Sequence, residues 1–171
     1  MIFDGLWKWE LQKLSWSICF WRRLPVFHVF AEHQLNRAIL YSATIIRKVI
    51  EDETETEKIA NTARISLPKQ ETAHATLTAS KYPYAAEEGW TVRGVFRAGY
   101  YGSGNTVSLK SKDVCNWLIH SCIWSLTQNA ARKHYSGFLV ASDFDREKYI
   151  HFVSFCEWQR LIKLAITHGT F

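Results

Sequence analysis

The chain has 171 residues, 47% hydrophobic and 22% charged, with a formal net charge of +5. This length fits one domain, 1–171, able to bury a sizeable core without disulfides or metals. The mild basic excess permits contact with nucleic acid, but it is spread too thinly to mark a footprint by itself.

Residues Leu6 to Phe20 form the first predicted helix, with Trp7, Leu11, Leu14 and Ile18 recurring at helical spacing. A core-packing helix is the preferred reading. The alternative is an interfacial helix with Trp9, Trp16 and Trp21 near a bilayer surface, disfavoured because its polar face is not strongly basic. Asp4, Lys8, Glu10, Lys13, Arg22 and Arg23 interrupt Met1–Pro25, so neither an exported leader nor a spanning helix is expected. Pro25 ends this segment.

Val26 to Glu51 is the strongest helical pattern, with Leu35, Ala38, Ile39, Ile46, Val49 and Ile50 on a wide apolar face. Glu32, Asn36 and Arg47 sit at the edge of that face and should meet polar groups from elsewhere, since buried charge is costly unless paired. The acidic run Glu51–Glu57 reads as an exposed loop or frayed helix end. Over residues 59–110 the helical pattern fades. Trp90–Phe96 and Thr106–Leu109 read there as short strands, and Tyr82–Tyr84 and Gly99–Asn105 as loops.

Ser111 to Gln128 reads as one helix capped by Ser111. Val114, Cys115, Leu118, Ile119, Cys122, Ile123 and Leu126 form its apolar stripe, opposite Asp113, Asn116, Trp117, His120, Trp124 and Thr127. Gly137–Ser142 and Lys148–Val153 read as an antiparallel hairpin turning at Asp143–Glu147. Ser154 and Glu157 have capping-box spacing ahead of a last helix that buries Trp158, Leu161, Ile162 and Ala165 and stops near Gly169. The fold class is therefore α+β, mainly helical, with three to four main helices and a C-terminal antiparallel hairpin followed by a helix.

Groups able to do chemistry are concentrated on one face of the Ser111–Gln128 helix. Asn116 and His120 are four residues apart and stack one turn from each other. An imidazole can act as acid or base near neutral pH, and Asn116 can orient a phosphate or carbonyl. Trp117 and Trp124 flank that face and can stack on a flat ligand, with Asp113 beside them. Glu32, Asn36 and Arg47 complete the ligand-binding candidates. Gly99–Gly104 lacks the Gly-Lys-Ser/Thr of a phosphate loop, and no Gly-x-Ser-x-Gly occurs. Cys19, Cys115, Cys122 and Cys156 are scattered, with no Cys-x-x-Cys, and the histidines lack metal-ligand spacing. No metal or cofactor is expected, and a reducing, cytoplasmic location fits the cysteines.

Cys115-Asn-Trp-Leu-Ile-His120 resembles the Arg, polar residue, short gap and His that helical HEPN-type ribonucleases and toxins carry on one helix, with Cys115 in place of the Arg. The resemblance implies RNA cleavage, with His120 as general acid or base and Asn116 as a phosphate ligand. A cation would then come from Arg37 or Arg47 on the preceding helix. Because the motif Arg is missing, the first reading is a noncatalytic module that binds a small molecule or protein through an aromatic-lined groove or a homodimer face. The ribonuclease, with nucleic acid as partner, is the alternative.

Overall fold

The fold of this computed structural model is described for residues 4–24, 29–64, 71–83, 104–120, 124–129, 134–142, 144 and 148–168. Helix α1 (Asp4–Trp21) buries Leu11 and Ile18 fully and Trp7 and Leu14 in part. The expected core face is thus the one that packs. The helix tightens at its end, where the Arg23 and Leu24 N–H groups donate to the Phe20 and Trp21 carbonyls, each at 3.2 Å.

Helix α2 (Val29–Ala63) runs antiparallel to α1 and carries the expected apolar face inward. It does not stop at Glu51. The acidic run lies within the helix because partners offset its charge. Lys48 and Arg47 pair with Asp52 and Glu51 one turn on, each at 2.9 Å. Glu53 is fully buried and accepts the Ala73 N–H at 2.6 Å.

Five strands form one antiparallel sheet in the order β2-β1-β5-β4-β3: β1 (Thr76–Pro83), β2 (Asn105–Lys110), β3 (Trp124–Gln128), β4 (Tyr135–Val140) and β5 (Tyr149–Ser154). The expected hairpin is β4–β5, with Phe138 opposite Val153 and Val140 opposite His151. Of its turn only Phe144 is described, and the Trp90–Phe96 reading and positions 99–103 lie outside the described residues. β2 matches the Thr106–Leu109 expectation. β1 falls where the pattern had faded, and Tyr82 and Pro83, expected in a loop, close that strand. Its alternation is explicit only in burial: Leu77 and Ala79 face the helices while Thr76 and Thr78 are exposed.

The single helix expected over Ser111–Gln128 is two elements. α3 (Ser111–His120) ends at His120, and Trp124–Gln128 is the edge strand β3, paired with β4 through Trp124↔Val140 and Leu126↔Phe138. Leu126 continues the helical spacing of Ile119, Cys122 and Ile123 and also alternates with Ser125 and Thr127, so periodicity alone could not separate the two forms. Pairing with β4 and burial of Leu126 and Thr127 decide it.

The last helix, α4 (Phe155–His168), buries Phe155, Trp158, Leu161, Ile162 and Ala165 as expected. Only half of the capping box forms: Ser154 Oγ accepts the Glu157 N–H at 3.2 Å. Glu157 instead reaches the sheet and accepts the Thr78 N–H at 2.9 Å, while Arg160 donates to the Thr76 carbonyl. Side chains of α4 thereby continue β1's hydrogen bonding beyond the end of β5. The architecture is α+β: four helices among the described residues lie on one face of the sheet around a common core. Among the described residues no helix is long and apolar enough to cross a membrane.

Candidate functional site

α3 is fixed at its start by Ser111, whose N–H donates to the Ala75 carbonyl at 3.0 Å and whose hydroxyl donates to the Thr72 carbonyl at 3.2 Å. Thr72 and Ala73 lie beside Glu53, so α3 begins near the C-terminal half of α2 and runs back along it. Val114, Cys115 and Leu118 are buried in that contact. His120, at the end of α3, then arrives opposite Arg47.

Arg47 is the centre of the site. Its Nη1 lies 2.8 Å from Nε2 of His120, and its Nε donates to Glu51 Oε1 at 2.9 Å. Guanidinium groups only donate, so Nε2 is the acceptor. This contact assigns the imidazole proton to Nδ1. Two of the roughly five guanidinium N–H groups are spent in this way, which leaves donors for a further partner. His120 is exposed and Arg47 half-buried. The cluster is an open seam between α2 and α3.

Cys115 is fully buried. Burial pushes its thiol far up against the opposing pull of nearby Arg47, so it behaves as a small apolar group. Asn116, one turn before His120, is half-buried, and its Oδ1 is enclosed without a hydrogen-bond partner among the described residues. At the other end of the seam, burial raises the Glu53 carboxyl above its ordinary value despite the Ala73 N–H.

Trp117 is three residues from His120, so the two are neighbours on the helix surface. Its ring stacks on His151 at 5.1 Å with a 16° interplanar angle. Tyr149 meets the same imidazole edge-on at 5.8 Å, and Lys81 Nζ sits 3.4 Å from the Tyr149 centroid. An aromatic row thus runs from α3 across β5 to a cation on β1. Sequence reasoning missed Glu51, Lys81, Tyr149 and His151. The one signal for the last two was strand alternation, which puts Tyr149, His151 and Val153 on a single face.

The other expected residues are dispersed. Trp124 belongs not to α3 but to β3, in register with Val140 and so in the cross-strand row of His151 and Lys81. Asp113 is half-buried in the first turn of α3, one turn from Trp117, where a carboxylate complements the helix dipole. Of the three edge residues of α2, Arg47 meets polar groups as expected. Glu32 acts near Tyr135, whose phenol is raised by burial and by that carboxylate. Asn36 has its Oδ1 enclosed with no partner among the described residues. Eleven residues separate it from Arg47, about 16 Å along the helix, so it belongs to another region.

A separate groove of about 600 Å³ opens between α1 and α2, lined by Glu10, Lys13, Leu14, Arg37 and Tyr41 among others, away from Arg47 and His120. Among the described residues no group of three or more His, Cys, Asp or Glu is arranged to hold a metal. No protein-family model, curated protein or solved structure matches the chain.

Proposed function

We propose that the protein is a noncatalytic binding module that takes an anionic group, phosphate or carboxylate, at the α2–α3 seam. The observation that carries this reading is the 2.8 Å contact between Arg47 and His120. Held from both sides by Glu51 and His120, the guanidinium is preorganised, and its remaining N–H groups have no ordering cost left to meet. The same contact forces the His120 proton onto Nδ1, so the imidazole also offers a donor. A general base needs a free lone pair, and that of Nε2 is committed to Arg47. Trp117 beside the seam suits a flat group attached to the anion.

Calorimetric titration with adenosine monophosphate and with inorganic phosphate tests this. Saturable binding lost in Arg47→Met supports the reading; no heat with either, or equal binding by the variant, ends it.

One feature favours a second reading as a ribonuclease of the HEPN kind. Arg47 brings to His120, from the neighbouring helix, the cation that position 115 lacks, and Asn116 stands one turn away. Mixed RNA cleaved by the wild type and spared by His120→Ala would establish it; equal cleavage, or none, would remove it.

A further inference from the structure

Helix α1 is apolar on two sides. The inner side, with Leu11 and Ile18, belongs to the core, while Leu6, Trp9, Trp16 and Phe20 stand 56%, 55%, 64% and 59% exposed. At about 100° per residue those four positions fall within an arc of roughly 80°, opposite the buried face. They form a straight ridge along the helix, from Leu6 to Phe20 about 21 Å long. Core packing accounts for none of them.

The charges on this helix suggest what the ridge meets. Helix α1 itself is balanced, Lys8 and Lys13 against Asp4 and Glu10, and the excess comes from Arg22 and Arg23 just past its end, of which Arg22 is turned to Cys156 Sγ at 4.0 Å. Lys13 sits within the ridge, with its ammonium 3.8 Å from the Trp9 ring centroid and 2.9 Å from Glu10, which offsets the one carboxylate nearby. Arg23 is exposed just past the end of α1. Indole rings favour the boundary between headgroups and acyl chains, where one edge stays wet. Lysine and arginine keep their charge at the phosphates while their stems lie on apolar surface. A convex ridge with Trp9 and Trp16 at one height lets both rings enter together when the helix lies flat.

We propose that α1 docks this protein on the surface of an anionic lipid bilayer, with Trp9, Trp16 and Phe20 in the interface and Lys13 and Arg23 at the headgroups. The docking is peripheral and independent of the α2–α3 seam.

The test is co-sedimentation of the full chain with vesicles of phosphatidylcholine alone and of phosphatidylcholine mixed with phosphatidylserine. The expected result is binding to the mixed vesicles that weakens with added salt. Trp9→Ser/Trp16→Ser should bind about tenfold or more weakly, because both rings leave the contact. Its far-ultraviolet circular dichroism should be unchanged, since both side chains are mostly exposed. Lys13→Glu should weaken binding to the mixed vesicles alone, which tests the charge without removing a ring. Failure to sediment with either vesicle, or equal binding by the double variant and wild type, would overturn the proposal. So would a dimer in analytical ultracentrifugation that the double variant abolishes while vesicles stay unbound, which would give the ridge to a second copy.

Discussion

Arg47 Nη1 and His120 Nε2, 73 positions apart in sequence, lie 2.8 Å apart and bridge helices α2 and α3. The contact does two things. It orients a guanidinium already held by Glu51, and it selects one tautomer of the imidazole. In the wild type, long-range proton–nitrogen NMR of His120 should show Nδ1 protonated and Nε2 bare. Arg47→Met should release Nε2 and shift the population toward the Nε2–H form. Stability should fall by only about 0.5 kcal/mol, because an open ion pair one turn apart contributes little.

His120→Gln keeps an acceptor for Arg47, and His120→Ala does not. Anion binding should therefore survive in the first at within about threefold of wild type and fall by roughly tenfold in the second, a loss of one charge-supporting hydrogen bond. Titration calorimetry of the two variants checks the order.

The core contains one buried polar link whose removal should be costly. Trp158 Nε1–H donates to Ser42 Oγ at 3.0 Å, and the Ser42 hydroxyl donates to the Ile39 carbonyl at 2.9 Å. Both residues are fully buried. Ser42→Ala orphans the indole N–H and should cost about 1–3 kcal/mol in urea denaturation. In a Trp158→Phe background the same change should cost clearly less, since no donor is left stranded.

The sequence made most of the outer frame legible. α1, the face of α2, β2, the β4–β5 hairpin and α4 all follow from period and from residue type. Three things were hidden. The helical run of 51–57 depends on Lys48, Arg47 and Ala73 as partners, and only the folded chain supplies Ala73. The separation of α3 from β3 depends on β4 pairing with a segment whose Leu126 fits both periods. The candidate site was half legible: Asn116, His120 and Arg47 were each marked by position, whereas Glu51 looked like part of a solvated acidic run. Lys81 and His151 could not be placed with Trp117 before the sheet order was known.

Glu53 gives the fold a pH dependence of definite sign. Burial raises its carboxyl in the folded state, so folding favours the protonated form. Its contribution to stability is present below the unfolded value, near 4.5, and is lost as pH rises through the higher folded value. Glu53→Gln should remove that component. Denaturation curves from acid to neutral pH should show the wild type losing stability relative to the variant as pH rises; parallel curves would contradict the burial of a titrating carboxyl.

Gly137 has no room for a side chain: a Cβ there would lie 2.2 Å from the Val153 carbonyl oxygen across the β4–β5 ladder. Gly137→Ala should cost at least about 3 kcal/mol, because backbone rather than a flexible side chain must move. Thermal denaturation checks this.

The binding claim is met most directly by following the Arg47 Nε–H and the His120 ring by NMR while adenosine monophosphate is added. Both resonances should move with one saturating dissociation constant, and the movement should vanish in Arg47→Met. Resonances that stay fixed while the nucleotide binds elsewhere, or that never saturate, would contradict it.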